Sequence, residues 1–157
     1  MAVWLLKTEP AECSLEDIRA AAGGGVMRWD GIRNYQARNL LRDVVRTGDL
    51  CLIYHSGIRE PALVGSAEVV RAAYPDPAQF DAASPLHDPA SEPANPRWFC
   101  IDIRYRAHFP RPVTLGAIKA TPALATMVLL RQGRLSVQPV TDAEWRVIAA
   151  LAGLAPA

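Results

Sequence analysis

The sequence predicts an α+β fold, a small mixed β-barrel of scattered antiparallel strands with short helices packed around it. Three observations predict it. Short β-rich runs recur along the 157 residues, separated by Gly, Pro and Asp punctuation. The helical stretches between them are brief and carry their own caps. No Gly-rich phosphate motif joins a strand to a helix, which excludes a Rossmann or P-loop arrangement. Half the residues are apolar, enough for the core of one domain spanning 1–157.

Val3 to Lys7 is a first strand, stopped by Pro10. Ser14 caps a short helix with Asp17 at capping-box spacing, and Leu15 and Ile18 form its buried stripe. Gly23 to Gly25 end that helix and leave slack before Trp29, read as a loop. Asp30-Gly31 is a tight-turn signal that would hold the Trp29 ring out of any regular element. Asn34 is the N-cap of a helix over 34–46, with Ala37, Leu40, Leu41 and Val44 at i, i+3, i+4, i+7. Thr47-Gly48-Asp49 turns the chain into a continuous apolar strand, Leu50 to His55. Ala62 to Ala72 is its hairpin partner, with Gly65 as a bulge or close-approach point.

Six Pro and two Asp-Pro steps between Tyr74 and Pro96 mark a long surface excursion with room for one helical turn near Ala78–Phe80. Trp98 to His108 alternates cleanly: Phe99, Ile101, Ile103 and Tyr105 on one side, Cys100, Asp102, Arg104 and Arg106 on the other. Pro110 and Pro112 should end it. Thr114 caps a helix through Lys119, and Thr121-Pro122 opens another to about Met127. Val128 to Arg131 and Leu135 to Gln138 are expected to form a last β segment or hairpin. Thr141 and Glu144 make a capping box for a closing helix that buries Trp145, Ile148 and Leu151.

Composition narrows the function classes. Net charge is +1, so any nucleic-acid contact must come from a local patch and not from a global basic footprint. Fifteen of the 17 basic residues are Arg, a preference that equally reflects Ala- and Arg-rich coding. Cys13, Cys51 and Cys100 are far apart, with no Cys-x-x-Cys or His-x-x-x-His pairing, so neither a metal site nor a cofactor is expected. Nothing demands a disulfide, which makes a reducing cytoplasm the default. The apolar run at Val3 to Leu6 is read as neither a signal peptide nor a membrane span. No feature demands a partner copy, so a monomer is the default.

The stretch Trp29 to Asn39 carries the chemistry. It places an indole beside a turn and follows it with planar and cationic groups. Arg28 to Arg46 holds five Arg against two Asp. A ring platform, an amide that both donates and accepts, and a row of guanidinium groups can hold a nucleobase and its phosphates. The plainer reading, a core Trp beside a solvated helix face, fits the composition as well. His55 is read as structural, because no third group orients it.

Several segments together resemble the EVE domain family. They are Lys7-Thr8-Glu9-Pro10, the eleven residues from Trp29 to Asn39, Gly48-Asp49, Tyr54-His55-Ser56, Val64-Gly65 and Leu135-Ser136-Val137-Gln138-Pro139-Val140. The match covers about residues 2 to 152, and its central motif is highly specific. The resemblance implies a PUA-like β-barrel and kinship with YTH domains, which clasp a methylated adenine between aromatic walls. It implies a module that binds a modified base of DNA or RNA. Trp29 would then be a pocket wall, with Tyr54 or Tyr35 as a second. Lys7, Thr8, Asp30, Arg33, Asn34, His55, Ser56, Ser136 and Gln138 match family positions around the pocket. Arg33, Arg38 and Arg42 would hold phosphates. Cys13 departs from the family pattern, where an aromatic residue is common, and Gly133 stands where a polar residue is usual. Two other classes stay open: an enzyme acting on a modified nucleotide through Lys7, Asp30 or His55, and a small-molecule binder using the same cavity.

Overall fold

The computed structural model describes residues 1–154. Six strands form one sheet: β1 (Val3–Thr8), β2 (Val26–Trp29), β3 (Leu50–His55), β4 (Ala62–Pro75), β5 (Phe99–Thr114) and β6 (Val137–Val140). Their order is β2-β5-β4-β3-β1-β6. Only the pair β1–β3 is parallel; every other pairing is antiparallel. The helices are α1 (Leu15–Ala20), the one-turn α2 (Ala22–Gly25), α3 (Tyr35–Asp43), α4 (Leu115–Lys119), α5 (Val128–Arg131) and α6 (Asp142–Leu151). The mixed α+β class is as expected. The ladder runs from β2 to β6 without closing, so its hydrogen bonds form an open sheet and not a closed barrel.

Strand alternation sorts the apolar side chains into two cores. Trp4 and Leu6 of β1, Cys51 and Ile53 of β3, Ala67 and Val69 of β4, and Ile101 and Ile103 of β5 face α1 and α3. Val3, Leu5, Leu50, Leu52, Leu63 and Val113 face the other way, onto Ile118, Leu124 and Ile148. A sheet buried on both faces explains why β1 and β3 read as continuous apolar runs. The carboxylate of Asp49, 5 % exposed, ties the start of the sheet together. It accepts from the Ala2 and Arg46 backbone N–H groups and from the Trp4 indole.

Local rules hold where the interactions are local. Ser14–Asp17 and Thr141–Glu144 both form complete capping boxes, and the Asn34 side chain accepts from the Ala37 N–H at 3.0 Å. The register shifts at Gly65, and a Cβ there would meet the Ala107 carbonyl and Leu15 at 2.3 Å, so α1 seats directly on the β4–β5 pair.

Four expectations are corrected by tertiary pairing. Trp29 is not held out of a regular element: it ends strand β2, paired with Ile101. Strand β5 continues through Pro110 and Pro112 to Thr114. The β4–β5 register jumps from Gly65↔His108 to Leu63↔Val113, so both prolines lie in a bulge without β4 partners and their missing N–H groups break no ladder bond. Val128 to Arg131 is a helical turn, and the last strand begins only at Val137. Helix α3 stops at Asp43, which leaves Val44 47 % exposed and buries Val45 in its place.

Candidate nucleic-acid interface

The two end strands of the open sheet come to the same place. A cavity of about 670 Å³ is lined from one side by Met27, Arg28 and Trp29 of β2 and the Asp30-Gly31-Ile32 turn. From the other side it is lined by Lys7 and Thr8 at the end of β1, by Ser56 just past β3, and by Arg134 and Ser136 just before β6. Glu9, Glu12, Cys13 and Leu86 complete it. Strand ends converge here because their backbones are stitched together. The Lys7 N–H donates to the Ser136 carbonyl at 3.0 Å, and the Ser56 N–H donates to the Thr8 carbonyl at 2.9 Å.

The Trp29 wall is rigid. The ring is only 6 % exposed, packed in the core with one surface given to the cavity. The turn after it is fixed by a fully buried carboxylate. Asp76 accepts from the Gly31 N–H at 3.2 Å and from the Arg33 guanidinium at 3.0 Å. Gly31 sits at φ 78°, the left-handed conformation that Asp30-Gly31 promised. Arg33 also donates to the Leu86 carbonyl at 2.9 Å, which pins the long excursion over the cavity. That excursion is ordered around Gln79, which is fully buried. Its amide donates to the carbonyls of Asp76 and Trp98 and accepts from Ser91 and from the Trp98 N–H.

Charge in the cavity is balanced: Glu9, Glu12 and Asp30 stand against Lys7, Arg28 and Arg134. Arg28 pairs with Asp30 at 3.1 Å. Lys7 donates its ammonium to the Gly133 carbonyl, and burial pulls its pKa below the ordinary lysine range. Cys13 packs its sulfur 3.4 Å from the Met27 thioether. Burial and the nearby Asp17 and Asp30 carboxylates push its pKa up, so the thiol stays protonated and a poor nucleophile. Among the described residues, no group of three or more His, Cys, Asp or Glu is placed to hold a metal ion, and no helix is long and apolar enough to cross a membrane.

The EVE domain model matches residues 2–151 of this chain. The chain belongs to the EVE domain family. It is 36 % identical to human thymocyte nuclear protein 1 over 165 aligned residues, covering 94 % of this chain and 72 % of that protein. The human THYN1 protein solved in complex with 5-methylcytosine-containing DNA superposes with a TM-score of 0.92 at 34 % identity, covering 99 % of this chain and all of that one. A protein from Pseudomonas putida superposes with a TM-score of 0.88 at 42 % identity, covering 96 % of this chain and 99 % of that one.

Of the residues expected around the EVE pocket, Lys7, Thr8, Trp29, Asp30, Ser56 and Ser136 line one cavity, and the others do not. Tyr54 does not line this cavity. It pairs in register with Lys7, is 3 % exposed and belongs to the core on the opposite face of the sheet. Lys7 shares that face and lies over the Tyr54 ring, but its long stem carries the ammonium to the rim. His55 accepts from the Leu15 N–H through Nε2, Asn34 caps α3, and Gln138 donates to the Leu135 and Gln132 carbonyls. Each of these three holds the backbone around the site.

The aromatic and cationic residues of α3 also lie outside the cavity. Tyr35 is 52 % exposed and stacks on Trp98, with ring centroids 4.9 Å apart. Arg38 lies over Tyr35 and donates to the Arg97 carbonyl, and Arg42 pairs with Asp43 on the surface. Arg33 is an internal pin with its guanidinium already engaged, and so is not placed as a phosphate contact.

The lining residues that sequence reasoning missed divide in two. Glu9, Gly31 and Ile32 stand inside the segments that resemble the family, and Glu12, Cys13, Met27, Arg28 and Arg134 lie within a few residues of them, so adjacency was the available signal. Leu86 enters from a proline-rich loop with nothing around it to mark it.

Proposed function

We propose that this EVE domain binds DNA and holds one modified base, turned out of its stack, in the cavity between β2 and the ends of β1 and β6. The observation that carries the reading is the convergence of Trp29, Asp30, Lys7, Thr8, Ser56 and Ser136 on one cavity. Its volume lies within the range of sites that enclose a small ligand. The human THYN1 protein in complex with 5-methylcytosine-containing DNA supports the same reading, at a TM-score of 0.92.

The roles follow from position. Trp29 offers a fixed apolar surface for stacking, worth on the order of 1–3 kcal/mol per base. The hydroxyls of Ser56 and Ser136 can each donate or accept toward a base edge. Met27, Ile32 and Leu86 supply apolar contact for a methyl group. Turning a base out of a duplex costs a few kcal/mol, and this preformed slot offsets it. Arg38 and the exposed Tyr35 on α3 serve the flanking strand, by phosphate contact and stacking. A PUA-like curl of the sheet, with the ligand seated in its unclosed seam, is part of the same reading.

Fluorescence anisotropy tests it. Labelled DNA strands carrying one 5-methylcytosine, or its unmodified twin, are titrated with wild type, Trp29→Ala and Ser136→Ala. Saturable binding that prefers the modified strand and weakens in both variants is expected. Undiminished binding by folded Trp29→Ala, or no binding by wild type at low salt, overturns the reading.

A further inference from the structure

We propose that Asp30 selects the class of base by demanding an exocyclic amine. The cavity then takes amino bases, the cytosine and adenine type, and rejects their keto counterparts. This inference rests on the base-holding reading above and adds to it the residue that reads the base edge.

The placement of the carboxylate carries the argument. Asp30 follows Trp29 directly, on the wall against which the base lies. One oxygen, Oδ2, accepts from Arg28 Nε at 3.1 Å, which fixes the orientation of the group. The other, Oδ1, has no hydrogen-bond partner among the described residues. The side chain is 33 % exposed at the cavity, whereas Glu9 and Glu12 belong to the exposed rim. An ionised carboxylate only accepts. It therefore bonds an amine and repels a keto oxygen, and the pairing of Asp with the cytosine N4 amine is an established geometry.

The opposite side of the cavity supplies hydrogen-bond donors. Lys7 spends one N–H on the Gly133 carbonyl and keeps donors in reserve, and Arg134 stands beside it. A cytosine edge runs from an amine donor at one end to acceptors at N3 and O2. With its amine at Asp30, it turns those acceptors toward the donors of Lys7 and Arg134. A thymine edge begins with a keto acceptor and has N–H at N3, so it places like against like at Asp30.

5-Methylcytosine and thymine carry the same C5 methyl and differ only along that edge, which makes them the decisive pair. Anisotropy titrations compare strands identical except for one 5-methylcytosine or one thymine. Wild type is expected to prefer 5-methylcytosine by about tenfold or more, the usual worth of one good base-edge contact. In Asp30→Asn the side-chain amide can also donate, so thymine binding should rise and the ratio fall toward one. Adenine against hypoxanthine, placed singly in the same strand, repeats the comparison in wild type and needs no variant. Equal wild-type affinity for both members of each pair overturns the role of Asp30 while base holding stands. An unchanged preference in Asp30→Asn moves the reading to another residue. Failure of every strand to bind overturns the base-holding reading itself.

Discussion

The fully buried carboxylate of Asp76 and the guanidinium of Arg33 meet at 3.0 Å, joining the turn after Trp29 to the start of the long proline-rich excursion. A buried carboxylate deprived of its cation is strongly destabilising, by about 3–5 kcal/mol. Arg33 is 23 % exposed, which places the loss for Arg33→Ala toward the lower end. Urea denaturation should show that loss as a lower midpoint. Affinity for a modified strand should fall with it, because both the Gly31 turn and Leu86 lose their anchor. The slope of affinity against salt should stay as in wild type, since this arginine is internal.

Arg38 should behave in the opposite way. Its side chain lies over an exposed tyrosine at the surface, so Arg38→Ala should leave the melting temperature nearly unchanged. If it holds a phosphate, log affinity against log salt should flatten by about one unit of slope, equally for modified and unmodified strands. An unaltered slope would remove α3 from the DNA path.

Gln79 makes four hydrogen bonds from a fully buried position. Gln79→Leu fills the space but strands the Trp98 N–H and the Ser91 O–H, while the Asp76 and Trp98 carbonyls each keep a backbone N–H partner. Each unsatisfied group costs about 1–3 kcal/mol, reduced where water reaches it. We expect a stability loss of at least about 2 kcal/mol by chemical denaturation. Proteolysis should cut first within residues 81–97, and binding should weaken through the freed Leu86.

His55 gives the fold a pH dependence. Its Nε2 accepts from the Leu15 N–H at 3.1 Å, which requires a neutral ring. Burial, with a smaller contribution from His108, holds its pKa below the ordinary histidine value. The unfolded chain therefore takes up this proton at higher pH than the folded protein does. Stability should fall as pH drops below about 6.5, and the loss should level off once the folded value is passed. Melting temperatures measured from pH 7.5 to 5 should show the decline, and His55→Gln, which can still accept, should flatten it.

What the sequence made legible follows the range of the interactions. Ser14, Asn34, Thr114 and Thr141 cap helices through groups three residues away, and all four caps are formed. Trp29 was misread as a loop residue because β2 has only four residues and draws its strand character from β5. Pro110 and Pro112 stop a regular strand but not one that bulges where they stand. In the site, Lys7, Thr8, Ser56 and Ser136 were legible through the resemblance of their segments to the EVE family. Tyr54 was not excluded by its sequence. Only the pairing of β1 with β3 shows which face its ring takes. Leu86 and Gln79 depend on how the excursion over residues 76–98 folds back, which no local pattern encodes.

The open seam between β2 and β6 bears on how occupancy is felt by the molecule. A guest lodged there touches the first strand, the second strand and the approach to the last strand at the same moment. On the proposed reading it would act as a clasp between two end strands that share no hydrogen bond. Recognition and the bridging of the two sheet edges would then be a single event.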